Sequence, residues 1–204
     1  ATTEMHAGTK VRGAQDGWYD FAMQLEAAQC NGQHVTGAAA DIHKCFDQIQ
    51  RNLVYTMART AGMPPRVLGA YIRFQEALTA RNAVAGHLGE PYPKPTSIPQ
   101  GCPLSMMLVA LITRPWILMM RSRGAIPRVL ADDILIYAVG DRHEEKLIDA
   151  YNVTHEYLAD MGAKLAPAKS ASFSTAKGTR KRLRDKVWEH VNAKIPVVNN
   201  FRDL

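Results

Sequence analysis

Cysteine is scarce in this sequence, and no long hydrophobic run is free of interruption. The 204-residue chain has 3 cysteines, which are Cys30, Cys45 and Cys102. Their number is odd and none has the close spacing of zinc ligands, so a disulfide framework and a zinc site are disfavoured and a reduced, intracellular protein is indicated. The longest apolar stretch, 102–120, contains Arg114 and Pro115. A membrane span tolerates such residues poorly, so the stretch predicts a buried helix.

Acidic residues are fewer than basic ones, and the imbalance is local. The chain has 25 Lys and Arg against 19 Asp and Glu, a formal net charge of +6. Residues 177–186 hold six basic residues and one acidic residue, whereas residues 1–50 hold three and six. Such a run suits contacts with the phosphate backbone of a nucleic acid, although a solvated surface loop explains it equally well. The candidate contacts are Lys177, Arg180, Lys181 and Arg182.

Hydrophobic periodicity predicts helices and strands around one core, since hydrophobic residues make up 47% of the chain. The predicted helices span Ala14–Cys30, 51–61, 65–80, 103–122 and 141–162. The predicted strands span His34–Ile42, 127–139, 164–175 and 195–204, and a hairpin or irregular loop spans 81–99. Asp141 and Glu144 predict a capping box on the last helix. This order fits an α+β fold with a split β-α-β-β-α-β (ferredoxin-like) sheet and helices on one face.

Three aspartates stand at the ends of predicted strands. Asp41 ends the first strand, and Asp132 and Asp133 form the turn between the next two. In the proposed layout these strands lie side by side, so the carboxylates converge and repel one another unless a cation joins them. Two Mg²⁺ ions about 3.5–4 Å apart meet that need and support displacement at phosphorus. Taken singly, such aspartates more often serve turn formation or helix capping.

Three short motifs resemble those of reverse transcriptases in order and spacing. DIHKCFD at 41–47 resembles the first palm motif, PQGCPLS at 99–105 the second and LADD at 130–133 the third. The Phe-Asp ending of the first motif and the Ala before the Asp pair are similar to the enzymes of non-LTR retrotransposons and group II introns. RNA-dependent RNA polymerases share the carboxylates, but their second motif centres on Ser-Gly and a later Asn, which this chain lacks.

Weaker likenesses extend the resemblance over residues 8–204. They are Lys10–Phe21 with Arg12 (the segment between fingers and palm), Gly162 with Lys169 (the fourth motif) and 200–204 (the start of the primer-grip hairpin). Two positions depart from the family pattern. Leu130 stands where an aromatic residue is usual, and Ala166 stands where Asn is usual.

The resemblance implies a set of site residues. The catalytic residues are Asp41, Asp132, Asp133 and Lys169, and the metal ligands are the three carboxylates with the Ile42 carbonyl. The substrate contacts are Ile42, Phe46 (under the nucleotide sugar), Gln100, Gly101 and Ser105, with Arg12 as a weak nucleic-acid contact. Some have simpler alternatives, which are Phe46 as a core aromatic, Ser105 as a helix-start hydroxyl and Lys169 as a solvated lysine.

The function implied is that of an RNA-directed DNA polymerase core from a retroelement. Its partners would be an RNA template, a DNA primer and dNTP, and its cofactors two Mg²⁺ ions, replaceable by Mn²⁺. Residues 1–33 are expected to be partial fingers and residues 34–204 a palm with a fingers insertion at about 51–99. With no thumb expected, little activity is predicted for the chain alone.

Two alternatives stay open. An inactive palm-like scaffold in a larger ribonucleoprotein would have no reason to keep three aspartates. A simple nucleic-acid-binding module would not explain aspartates on buried strands beside Gln100 and Gly101. No signal peptide or membrane association is expected, and the sequence does not determine the oligomeric state, the host element or the choice between cytoplasm and nucleus.

Overall fold

A four-stranded antiparallel sheet lies at the centre of the chain, whose computed structural model describes residues 4–6 and 13–199. The strands are β1 Val35–Ala40, β2 Ile42–His43, β3 Thr79–Ala80, β4 Ala83–Val84, β5 His87–Leu88, β6 Tyr92–Pro93, β7 Ile126–Leu130, β8 Asp133–Val139, β9 Lys164–Leu165 and β10 Ala171–Ser174. The helices are α1 Ala14–Cys30, α2 Cys45–Gln48, α3 Arg51–Thr60, α4 Pro65–Glu76, α5 Ser105–Ser122, α6 His143–Asp160 and α7 Lys177–Asp185. The central sheet has the order β10-β1-β8-β7.

Strand β1 is an inner strand built from small side chains. All six of its residues are buried, and it pairs with β8 on one side and β10 on the other. Gly37 lies under the ring of Phe173, where an added Cβ would stand 2.4 Å from ring carbons. The strand predicted over His34–Ile42 is confirmed for Val35–Ala40, and it is interrupted at Asp41, after which β2 begins at Ile42.

Helices α5 and α6 cover one face of the sheet. Alternation along β8 turns Ile134 and Ile136 to this face, where they join the larger core cluster with Leu108 and Tyr151. The structure confirms the predicted buried helix, with α5 beginning at Ser105. Among the residues that the structure describes, no helix is long and apolar enough to cross a membrane.

The predicted capping box of α6 is wrong. The N-cap is Arg142, with a φ of 57°, and no side chain caps this helix. Glu144 instead accepts hydrogen bonds from Thr179 Oγ1 and Arg182 Nε, both at 2.7 Å. A contact with α7, distant in sequence, has therefore replaced the local cap that Asp141 and Glu144 suggested.

Helix α1 covers the second face. Phe21 packs edge-on against Tyr137 and Phe173, with ring centroids 5.0 and 5.7 Å apart. The predicted bounds of this helix are confirmed at both ends. The expectation of helices on one face needs correction, because α1, assigned to a partial fingers segment, packs directly on the central sheet and leaves neither face bare.

The segment between α4 and α5 forms a nested hairpin. Strand β3 pairs with β6, and β4 pairs with β5 inside them. The sequence predicts a hairpin or an irregular loop over residues 81–99, and the structure contains the hairpin. Helix α4 ends at Glu76 rather than at the predicted residue 80, since β3 begins at Thr79.

Candidate active site

The pairing of β1 with β8 brings two of the three aspartates to one end of the sheet. The ladder ends with Ala40 opposite Ile134. Asp41 follows Ala40 and Asp133 precedes Ile134, so the two aspartates continue the same register on neighbouring strands. Their parity along the strands also places both on the face that α1 covers.

Asp132 occupies the turn between β7 and β8. The turn consists of Ala131 and Asp132, and Ala131 has a φ of 58°. Asp133 is the first residue of β8 and pairs with Leu130. The predicted Asp132–Asp133 turn is therefore wrong by one residue, which leaves Asp132 at the tip and Asp133 on the strand.

The three carboxylates lie close enough to influence one another. Burial raises the pKa of Asp133 above its ordinary value, and the charges of Asp132 and Asp41 raise it further. Beneath them, burial and the charge of Asp132 raise the pKa of the Cys45 thiol to about 12. The thiol therefore stays protonated at neutral pH.

The three carboxylates are candidate ligands for a hard divalent cation. Mg²⁺ prefers carboxylate and carbonyl oxygens, and it binds through one or two carboxylates while keeping water and phosphate oxygens. Within residues 4–6 and 13–199, no three His, Cys, Asp or Glu side chains converge in a geometry that could itself hold a metal ion. The like charges around Asp133 are the observation that favours a cation here, because a cation would relieve their repulsion.

Lys169 lies on the other side of Asp41. Its Nζ atom is 4.0 Å from Asp41 Oδ2, and its side chain is 74% exposed. The Ala166 amide, in the same loop, donates to the Asp41 carbonyl at 2.9 Å. The structure therefore brings the predicted lysine to the carboxylates and leaves its amine accessible to a ligand.

Phe46 lies in the short helix α2, which follows Asp41 and β2, and it is half-buried against the core. Its carbonyl accepts a hydrogen bond from the Ile98 amide at 2.8 Å. The neighbouring Arg51 is buried and donates to the carbonyls of Ser97 and Gln75 at 3.4 and 2.7 Å. No sequence pattern predicts the role of this arginine, because its partners are backbone atoms distant along the chain.

Gln100 and Gly101 form an exposed turn before α5, and Gly101 has a φ of 84° with open space around its Cα. Ser105 is buried, and its hydroxyl donates to the Pro99 carbonyl at 2.6 Å. This bond favours the helix-start alternative for Ser105. The serine closes the turn that presents Gln100 and Gly101.

The basic run forms helix α7, which lies at the opposite end of the sheet. Strand β10 leads away from Asp41, since Ser174 pairs with Thr36 near the start of β1. Arg180 donates to the carbonyls of Ser174 and Thr175 at 2.6 and 3.1 Å, and Arg182 pairs with Glu144. Two of the predicted nucleic-acid contacts thus have partners within the fold. The other two predicted contacts, Lys177 and Lys181, are exposed. Arg12 and residues 200–204 lie outside the described residues.

A cavity of about 210 Å³ opens beside the carboxylates, between the start of α1 and the β7–β8 hairpin. Its lining includes Asp41, Asp133 and Lys169, together with Trp18 and Arg128. The predictions did not include Arg128, which lies over the ring of Tyr137 at 5.8 Å. The site thus combines acidic and basic groups around one opening.

Comparison with known proteins places the chain in a family. A sequence model of the reverse transcriptase (RNA-dependent DNA polymerase) family matches residues 4–189. The chain therefore belongs to the reverse transcriptase family. No curated protein matches it significantly.

Solved telomerase structures share its fold. Apo telomerase from Candida tropicalis, truncated of its C-terminal domain, aligns with a TM-score of 0.62 at 13% identity, over 86% of this chain and 37% of that one. Telomerase from Candida tropicalis in complex with a TWJ fragment of telomeric RNA gives 0.62 at 10% identity, over 86% and 31%. The corresponding Candida albicans complex gives 0.57 at 12%, over 86% and 32%. The chain thus spans about a third of the length of these proteins.

Proposed function

We propose that this chain is the catalytic core of an RNA-directed DNA polymerase of a retroelement, which joins dNTPs to a primer 3′-hydroxyl on an RNA template. The observation that carries the proposal is the continuation of the β1–β8 register into Asp41 and Asp133, beside Asp132 in the adjoining turn. Membership of the reverse transcriptase family supports the reaction class. One telomerase of the same fold is described in complex with telomeric RNA, which supports a nucleic-acid partner.

Asp41 and Asp132 are assigned as the carboxylates that would hold two Mg²⁺ ions, with the Ile42 carbonyl as a backbone ligand and Asp133 as a nearby ligand or charge. Two bound ions, for which Mn²⁺ can substitute, would supply the Lewis acidity that nucleotidyl transfer needs. Lys169, exposed beside Asp41, is placed to donate a proton or a positive charge to the leaving pyrophosphate.

The nucleotide is proposed to lie between Phe46 in α2 and the Gln100–Gly101 turn. The Ile98 amide bonded to the Phe46 carbonyl joins these two segments. A half-buried ring beside the sugar would exclude a 2′-hydroxyl and offer it no hydrogen-bond partner. Gly101, with no side chain, permits close approach of a backbone or base.

The proposed architecture is a palm, residues 34–204, with a partial fingers segment at 1–33 and a fingers insertion at about 51–99. The antiparallel order β10-β1-β8-β7 supports the split β-α-β-β-α-β description, because α6 and the α2–α5 segment lie between successive strands of the central sheet. The likeness of the motifs at 41–47 and 130–133 to those of non-LTR retrotransposon and group II intron enzymes supports the retroelement assignment.

Primer extension tests this proposal. In a polypeptide that contains this chain and extends a primer on RNA, Asp132→Asn should abolish Mg²⁺-dependent synthesis, because it removes a charge without changing shape. Asp141→Asn, an exposed aspartate outside the site, is the matched control and should retain synthesis. Extension by Asp132→Asn at the control's rate would contradict the assignment.

A further inference from the structure

One loop, residues 166–170, holds both backbone groups of Asp41. The Ala166 amide donates to the Asp41 carbonyl at 2.9 Å, and the Asp41 amide donates to Ser170 Oγ at 3.2 Å. Asp41 stands at the interruption between β1 and β2. The loop therefore satisfies the backbone groups that a continuous ladder would otherwise satisfy.

Ser170 is itself firmly held. It is 2% exposed, and its hydroxyl donates to the Ala166 carbonyl at 2.9 Å. The hydroxyl of Tyr151, a fully buried residue of α6, contacts the Ser170 side chain and lies 3.4 Å from the Ala39 carbonyl. A serine hydroxyl has one proton and two lone pairs, so these contacts fix its orientation toward the Asp41 amide.

We propose that the Ser170 hydroxyl, backed by Tyr151, is a positioning group that sets where the Asp41 carboxylate stands. The inference rests on the proposed function, which gives Asp41 its role in a metal site. Ser170 acts through the backbone of Asp41 rather than on a reacting group. The arrangement also accommodates Ala166 at a position where the family usually has Asn, because residue 166 contributes only its amide and carbonyl to this loop.

The position of Asp41 depends on this loop because Asp41 follows the last residue of β1, where the strand pairing ends. Ligands of a working site must be held to within about 0.5 Å of the productive geometry. Removal of a group that orients a metal ligand typically costs about 10–100-fold in metal affinity or activity. Loss of the Ser170 hydroxyl should therefore weaken metal binding by letting Asp41 move, although all three carboxylates are still present.

The test compares three serine variants of this chain. Ser170→Ala removes the hydroxyl, and Ser170→Thr restores one at the same position. Ser172→Ala is the matched control, since Ser172 is fully buried two residues further on and its hydroxyl lies 3.3 Å from the Pro196 carbonyl, away from Asp41. Tyr151→Phe removes only the supporting hydroxyl.

Two readouts are independent of polymerase activity. Hydrogen–deuterium exchange of the Asp41 amide should be faster in Ser170→Ala and close to the original chain in Ser170→Thr and Ser172→Ala. Calorimetric titration with Mn²⁺ should give a Kd about 10-fold weaker for Ser170→Ala, with a smaller effect for Tyr151→Phe. If Ser170→Ala does not fold, faster exchange in Tyr151→Phe supports the proposal and unchanged exchange contradicts it.

The positioning role is wrong if Ser170→Ala behaves as Ser172→Ala does in both readouts. Failure of the proposed function looks different. Mn²⁺ binding would then be the same in Asp41→Asn as in the original chain, while exchange of the Asp41 amide would still decide whether Ser170 holds that residue.

Discussion

The two ends of the central sheet hold different kinds of polar groups. At one end lie Asp41, Asp132 and Asp133, and burial together with the charges of Asp132 and Asp41 raises the pKa of Asp133. At the other end, roughly 17 Å away along β1, the Thr36 hydroxyl lies 2.6 Å from His143 Nδ1 and 2.7 Å from Ser174 Oγ. The first group consists of like charges with one exposed cation, Lys169, at 4.0 Å from Asp41, whereas the second is neutral and mutually hydrogen-bonded.

This contrast separates groups kept for function from groups kept for stability. Thr36 is fully buried and Ser174 nearly so, so their hydrogen bonds avoid the cost of unsatisfied polar atoms. Clustered carboxylates oppose folding unless a ligand neutralises them. We therefore expect substitutions at the acidic end to reduce activity without reducing stability, and substitutions at the hydroxyl–imidazole end to do the reverse.

The largest effect should follow from Asp41→Asn. In an active polypeptide that contains this chain, kcat for primer extension should fall by about 100-fold or more, because metal-assisted charge stabilisation is worth several kcal/mol. The melting temperature should not fall, because a repelling charge has been removed. A variant with a lower melting temperature and undiminished primer extension would contradict the expectation that the acidic end serves activity and not stability.

The variant Phe46→Ala tests whether a residue near the acidic end selects the sugar of the nucleotide. Phe46→Ala should raise incorporation of ribonucleotides relative to deoxynucleotides, since the ring's exclusion of a 2′-hydroxyl is worth about 1–3 kcal/mol. The ratio of kcat/KM for the two sugars measures this directly. Phe74→Ala, at an exposed ring on α4, is the control. An unchanged ratio with activity retained would show that Phe46 is only a core aromatic.

Thr36→Val tests the stabilising end. The variant keeps the shape but leaves His143 and Ser174 without the shared hydroxyl, so the free energy of unfolding should fall by about 1–3 kcal/mol. Primer extension should persist under conditions where the protein stays folded. Thr60→Val, whose hydroxyl donates to the Thr56 carbonyl on an exposed turn, should change stability by no more than about 0.5 kcal/mol. Equal losses in the two variants would contradict the role of the buried network.

The smallest expected effect is the change of stability with pH, and its sign should differ between the two ends of the sheet. Burial and the neighbouring His34 lower the pKa of His143, so its contribution to stability is full above about pH 6.5, its unfolded value, and is lost as the pH falls toward its folded pKa. The pKa of Asp133 is raised, so its cost to folding is relieved as the pH falls through that pKa.

Urea unfolding without divalent ions measures the effects of His143 and Asp133 on the free energy of unfolding. Between pH 7 and pH 4.5, His143→Gln should gain stability relative to the original chain. Over the same interval the advantage of Asp133→Asn over the original chain should shrink. Each change should be at most about 1 kcal/mol, because both groups are partly exposed. Changes of the same sign in the two comparisons would contradict the assignment of opposite electrostatics.

Local patterns predicted much of the fold. Helix α1 follows from the spacing of Trp18, Phe21, Leu25 and Ala28, and β1 from a run of small residues. Motif spacing indicated that Asp41 and the Asp132–Asp133 pair belong together, and the strand register now places them at one end of the sheet. These features depend on side-chain periodicity and order along the chain, which a sequence displays directly.

Contacts distant in sequence account for what the patterns missed. Glu144 bonds to Thr179 and Arg182 rather than capping its own helix. Ala131 adopts a positive φ that moves the turn by one residue. The basic run, which a solvated loop explained equally well, is a helix because Leu183 is buried in the core. The Glu144 contacts and the burial of Leu183 have no local signature, since they depend on which elements meet in the folded chain.

Diffraction at the manganese edge tests the central claim most directly. Crystals of this chain grown with Mn²⁺ and a deoxynucleoside triphosphate should show an anomalous peak within coordination distance of the Asp41 and Asp132 carboxylates. The peak should disappear in Asp132→Asn crystals under the same conditions. Manganese bound elsewhere with none beside Asp41, or a peak that Asp132→Asn leaves unchanged, would contradict the assignment of these carboxylates as the metal site of a polymerase.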